Sequence, residues 1–143
     1  QLEESLAALK NALKENGTMV HNTVNYLIPY DPHFKILLVP FFPKYTTLFK
    51  PSLKTSSLWN CLNFITVKKL KTICKKNTLM IHFKKDSLIK ALMRLDTDPG
   101  FAHQQHYFIP LYRILKVTKL LGIIKKIPIS LATPITFTIK KNQ

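Results

Sequence analysis

The chain has 143 residues, 46% of them hydrophobic, and its 22 Lys and Arg against 7 Asp and Glu give a formal net charge of +15. That size and apolar content suit one domain with its own core and exclude a disordered tail, while no run of eighteen uncharged apolar residues marks a membrane span. With three glycines and two cysteines the chain has no phosphate-cradling loop, no CxxC and no Cys/His pair at zinc spacing.

Residues 2–15 carry the first helical pattern. Leu2, Leu6, Leu9 and Leu13 lie on one stripe with Ala7, Ala8 and Ala12 beside it, Glu3 and Glu4 occupy the first turn, and Gly17 is the expected stop. The stripe fits core packing, with pairing to a partner helix as the alternative.

Residues 18–57 are irregular and hold five prolines, Pro29, Pro32, Pro40, Pro43 and Pro51. Phe34–Val39 reads as a buried strand ended by Pro40. Tyr26, Tyr30, Phe41, Phe42, Tyr45 and Phe49 interleave with Lys35, Lys44, Lys50 and Lys54. Such a pattern either clamps an extended segment onto a protein surface or stacks aromatics on unpaired bases while the cations hold phosphates.

From Trp59 to Leu95 the pattern reads strand, helix, strand, helix. Phe64–Ile65 closes an apolar run, and Thr66 is the expected cap of a helix whose inner stripe is Val67, Leu70, Ile73 and Cys74. Lys68, Lys69, Lys71, Lys75 and Lys76 fill its other positions, and Asn77 ends it. Leu79, Ile81 and Phe83 alternate with Met80, His82 and Lys84 as in a half-buried strand. Asp86 is the expected cap of the next helix, with stripe Leu88, Leu92 and Leu95, stopped by Asp96, Pro99 and Gly100.

Residues 99–112 place His103 and His106 in an expected loop, with no third ligand at useful spacing for a metal. A helix over 110–121 starts at Pro110, stops at Gly122 and turns Leu111, Ile114, Leu115 and Leu121 inward. Arg113, Lys116 and Lys119, followed by Lys125 and Lys126, make a second basic patch. From Ile129 to Ile139 strict alternation marks a strand, which Pro134 places at an edge or bulge. The fold expected is α/β, with strand–helix units forming a mixed sheet packed with helices. It is a single domain over 1–143, with 18–57 as a Pro/aromatic-rich insertion or extension.

Three segments carry a family resemblance. Ile65-Thr66-Val67-Lys68-Lys69-Leu70-Lys71 resembles the "LTVxxLxxLRxxL" helix start of the ribosomal stalk-base proteins (large-subunit protein L-ten and its eukaryotic relative P-zero). Lys85-Asp86-Ser87-Leu88-Ile89-Lys90 is similar to that family's "KNTLxKRAL", and Pro134–Ile139 to its "GPTALAF" strand. Cys74 stands where the family has Arg, Asp86-Ser87 replace Asn-Thr, and Thr133 replaces Gly. The resemblance implies an rRNA-anchoring domain of the large subunit, contacting stalk-base rRNA and neighbouring ribosomal proteins. The segment that would carry the stalk proteins has no counterpart.

After residue 15 the chain carries 20 basic and 4 acidic groups. A surplus of that size repels itself unless a polyanion neutralises it, nucleic acid first and an anionic membrane second. The residues expected to hold RNA phosphates are Lys68, Lys69, Lys71, Lys75, Lys76, Lys84, Lys85, Lys90, Arg113 and Lys116. With no nucleophile motif or paired carboxylates, neither catalysis nor a small-molecule substrate, cofactor or metal is expected. The expectation is therefore a non-enzymatic structural constituent of the large ribosomal subunit that helps to recruit translation factors, in a mitochondrial matrix ribosome from its Lys/Asn/Ile/Phe-rich composition. The alternatives are a peripheral basic subunit of an inner-membrane complex docking through 110–121, and a non-ribosomal RNA-binding factor.

Overall fold

Helix α1 (Leu2–Ala12) leads into strand β1 (Met19–Thr23), and two-residue strands β2 (Tyr30–Asp31) and β3 (Ile36–Leu37) form a separate ribbon. Two short helices follow, α2 (Thr46–Phe49) and α3 (Ser57–Cys61), then the basic helix α4 (Val67–Lys76) and strand β4 (Leu79–Lys84). Helices α5 (Ser87–Thr97), α6 (Pro99–Gln104), α7 (Ile109–Val117) and α8 (Leu121–Ile124) precede the last strand, β5 (Ile135–Lys141). The computed structural model describes residues 2–141, so Gln1, Asn142 and Gln143 of the single domain expected over 1–143 lie outside the described residues.

The fold is α/β, a small sheet packed against helices. Its strand order is β1-β5-β4 with both ladders antiparallel, pairing Thr23 with Ile135 and Lys84 with Thr136. Strands β1 and β4 therefore run in the same direction on either side of β5. Alternation along β5 puts Ile135, Phe137 and Ile139 on one face, at 0%, 3% and 0% exposure, where they pack with Leu6 of α1 and the stripe of α4. Leu70 of that stripe is 0% exposed; truncating it to alanine costs about 2–5 kcal/mol in a core of this kind. The opposite face stays open, with Val20 and Met80 62% and 52% exposed beside His82, Lys84 and Lys140.

The α4 boundaries follow from local chemistry. Thr66 Oγ1 accepts from the Lys69 amide at 3.2 Å, and the Asn77 side chain donates to the Ile73 carbonyl at 2.9 Å. Thr78 takes the left-handed turn after it, with φ 55°. Gly17 has no positive φ; a Cβ there would sit 2.7 Å from Leu13 Cδ1 and 3.0 Å from the Lys14 carbonyl oxygen, so the Leu13 side chain would have to shift.

Several expected elements differ. The run before Thr66 begins as α3, capped by Ser56 Oγ accepting from the Trp59 amide at 3.2 Å, because Trp59 (5% exposed) buries edge-on against Phe34 and Phe64. Phe34–Val39 keeps only two strand residues, and Leu37 points outward at 78% exposure while Leu38 is buried. Pro134, joined to Thr133 by a cis peptide bond, lies just ahead of β5, so the strand after it is central rather than an edge. Residues 129–131 form a 3-10 turn instead of strand. Asp86 does not cap α5 through its side chain, which pairs with Lys90 at 2.6 Å. Asp98 caps α6, accepting from the Phe101 amide at 2.9 Å, so part of the expected loop at 99–112 is helical. Gly122 lies inside α8; Lys119, with φ 57°, follows the end of α7. On α7 the buried residue is Tyr112, whereas Leu111 and Ile114 are 51% and 60% exposed.

Candidate nucleic-acid interface

Between Asp31 and Asp86 the chain contains eleven lysines and no acidic residue. The fold presents these lysines in two groups, one on α4 and the β4–α5 corner, the other around the aromatic segment 41–50.

All ten residues expected to hold phosphates are exposed, but the fold divides them. Lys76 pairs with Glu3 at 2.6 Å, Lys90 with Asp86 at 2.6 Å and Lys116 with Asp96 at 2.6 Å. Lys69 Nζ donates to the Asn63 carbonyl at 2.6 Å, and Lys71 Nζ lies 5.9 Å from the centre of the Phe83 ring. Lys68, Lys75, Lys84 and Lys85 make no side-chain hydrogen bond or ion pair among the described residues, and Arg113 adds its charge to the field around Asp96. Ion pairs this exposed are weak and screened by salt, so a phosphate can displace them. Among these ten, the lysines without such a partner therefore lie on α4 and at the β4–α5 corner. Lys140, absent from the sequence-based set, lies with Lys84 on the open sheet face, paired with Met80 and across the sheet from α4. Extending the β5 alternation two residues beyond Thr138 would have found it.

The acidic groups past residue 85 act as local neutralisers. Hydrogen bonds from Lys116 and Tyr112 hold the Asp96 carboxyl below the usual carboxylate range, and Asp96 in turn raises the Lys116 ammonium. Asp98 is lowered chiefly by its bond to Arg94, whose Nη2 lies 2.7 Å away, and Asp86 chiefly by Lys90. Burial, then the bond to Asp96, pushes the Tyr112 hydroxyl up. Asp31 is 0% exposed and anchors its own turn, accepting from the amides of His33 and Phe34 and from the Tyr26 hydroxyl at 2.8 Å. Among the described residues no group of three His, Cys, Asp or Glu side chains could hold a metal ion, and His103 and His106 are exposed.

The six aromatics of the irregular segment also split. Tyr26 is buried, and Tyr30 packs edge-on against Phe108 at 5.7 Å. Phe41, Phe42, Tyr45 and Phe49 stand out at 76%, 60%, 57% and 82% exposure, interleaved with Lys44 and Lys50. Phe41 is held at φ 63°, a conformation that costs a bulky side chain of order 1–3 kcal/mol and persists where surroundings impose it.

The fold and this surface define an α/β domain with a basic, aromatic-studded exterior. The chain is 31% identical over 110 residues to uncharacterized protein Rv1509 of Mycobacterium tuberculosis strain ATCC 25618 / H37Rv, and to uncharacterized protein MT1557 of strain CDC 1551 / Oshkosh. The match covers 70% of this chain and 37% of each relative, so the chain spans well under half the length of the curated proteins it matches. No family model and no solved structure matches it.

Proposed function

We propose that this chain binds RNA within a ribonucleoprotein particle, with α4 and the β4–α5 corner on phosphates and the 41–50 segment on unpaired bases. The observation that carries the reading is the exposure of Phe41, Phe42, Tyr45 and Phe49 between unneutralised lysines. Aromatic faces offered to solvent among cations are costly on a free surface and suit base stacking with backbone neutralisation. The motif resemblance makes stalk-base rRNA of the large ribosomal subunit the first RNA to test.

The experiment is fluorescence anisotropy against a stalk-base rRNA fragment and an unrelated hairpin, from 50 to 300 mM salt. Replacing Lys68, Lys75, Lys84 and Lys85 together with alanine should flatten the slope of log K against log salt by roughly 3. Phe41→Ala with Phe49→Ala should weaken binding by about 1–3 kcal/mol per stacked base and leave that slope unchanged. Preference for the stalk-base fragment supports the ribosomal form; equal affinity for both RNAs removes it. Binding unaffected by either set of changes removes the RNA reading.

One observation favours a second reading. Leu111, Ile114 and Val117 of α7 are 51%, 60% and 82% exposed, and Ile123 of α8 is 58% exposed, with Arg113, Lys116, Lys119 and Lys125 around them. An outward apolar stripe edged by cations fits docking on an anionic membrane surface. Co-flotation with anionic liposomes that is lost in Ile114→Glu would support it; absence of flotation at low salt would end it.

A further inference from the structure

A second feature owes nothing to the lysines. The molecule has a cleft of about 780 Å3, open to solvent along one side, at the end of the sheet where β1 stops and β5 begins, floored by Asn22–Val24 and by Thr133 and Pro134. The cleft lies beyond the carboxyl end of β1 and the amino end of β5.

One wall is a face of α5, Leu88, Ala91, Leu92 and Leu95, spaced three and four apart. Of the expected stripe, Leu95 is buried, as is Ile89 on the adjoining face, whereas Leu88 and Leu92 remain partly exposed toward the cleft. Leu115 and Ile124 supply more branched aliphatic wall. The volume and the predominance of apolar side chains match small-molecule sites, typically about 300–1,000 Å3 with a few polar groups for orientation.

Two properties narrow the occupant. No Asp or Glu lines the cavity; its polar side chains include Asn63, Gln104, Gln105 and Arg94, which offer donors to an uncharged or anionic oxygen and give an ammonium no carboxylate to pair with. The aromatic residues on its wall are also engaged already. Tyr30 meets Phe108 edge-on, Phe101 lies under the Arg94 guanidinium at 4.3 Å, and Tyr26 packs against Phe64 at 5.2 Å. A planar ligand finds few free rings for stacking, whereas a flexible alkyl chain meets leucine and isoleucine.

We propose that this cavity binds a long-chain amphiphile, an aliphatic tail with a neutral or anionic oxygen head group, of which a fatty acid is the simplest form. The chain carries its own reporter. Cys61 lines the cavity and is exposed, whereas Cys74 is 1% exposed with its thiol pushed up by burial, so thiol labelling of the folded protein reads Cys61.

The test uses the full chain and palmitate below its micellar concentration, followed by calorimetry and by the rate of N-ethylmaleimide modification. Saturable one-to-one binding is expected with Kd on the order of micromolar, together with about a fivefold or greater slowing of Cys61 modification. Hexadecanol should compete, and hexadecylamine should bind about tenfold more weakly. Ala91→Phe, which puts a ring into the cavity against the wall of α5, should weaken palmitate binding about tenfold or more, while Lys68→Ala with Lys75→Ala should leave it unchanged. Sensitivity to the lysine changes without sensitivity to Ala91→Phe would mean adsorption on the basic surface and overturn the proposal. Should Ala91→Phe not fold, labelling of the unaltered chain decides: palmitate that fails to bind, or binds without protecting Cys61, overturns it.

Discussion

Asn25 is 0% exposed, and its side chain joins the turn after β1 to the turn before β5. Nδ2 donates to the carbonyls of Ser130 and Ala132 at 2.7 and 2.9 Å, and Oδ1 accepts from the Leu27 amide at 3.2 Å. Asn25→Ala removes all three bonds and leaves two carbonyls and one amide without those partners. At about 1 kcal/mol for each net bond, with a further penalty where water cannot reach, the loss is roughly 3–4 kcal/mol. For a domain of this length that corresponds to a fall in Tm of about 10 °C, measured by calorimetry alongside urea midpoints with an unchanged m-value. Asn25→Asp sharpens the test by aiming a carboxylate at two carbonyls. Its folded pKa must rise above the unfolded value, so its destabilisation is full above the folded pKa and fades as pH falls toward about 4. Asn25→Asp should therefore be less stable than Asn25→Ala at pH 7 and close that gap in acid. A cost below about 1 kcal/mol for Asn25→Ala would refute the assignment of this residue as the tie between the two turns.

Two further changes address charge and polarity elsewhere. His21 Nε2 is buried with no hydrogen-bond partner, and its ring stacks on Phe137 at 5.3 Å; His21→Phe keeps the stack, removes the unpaired nitrogen and should stabilise by about 1 kcal/mol in a urea titration. A loss of stability would show that the nitrogen is satisfied in solution. Asp96 is depressed by its bonds to Lys116 and Tyr112, so its contribution is present above the ordinary carboxylate pKa and is lost as pH falls through the folded value. Asp96→Asn should flatten the acid limb of stability against pH and, by freeing Lys116, steepen the salt dependence of RNA binding; an unchanged acid limb would contradict the pairing.

How much was legible in the sequence can be judged element by element. Helix α4 was, because its cap, inner stripe and terminal Asn77 are neighbours in the chain and act over one to four residues. Strand β4 and the inner face of β5 were legible for the same reason, since alternation is a local period. Strand β1 was not: Met-Val-His-Asn-Thr has no strong strand pattern, and it is a strand because β5 supplies hydrogen-bond partners more than a hundred residues away. The strand expected before Thr66 failed because Trp59 gains more by entering a pocket between Phe34 and Phe64 than local propensity resists.

The candidate site divides in the same way. That the lysines of α4 are exposed follows from the period of the helix, and the pairing of Asp86 with Lys90 follows from their spacing of four. That Lys116 is spent on Asp96 and Lys76 on Glu3, while Lys140 joins the open face of the sheet, depends on contacts between separate elements. The cavity belongs to this second class as well. By itself the sequence determined the α/β class, the basic surface and the local helix and strand periods. Only the tertiary structure decided which cations stay free and that Leu88 and Leu92 of the α5 stripe border a cleft while Leu95 is buried, because periodicity records which residues share a face and packing alone determines what that face meets.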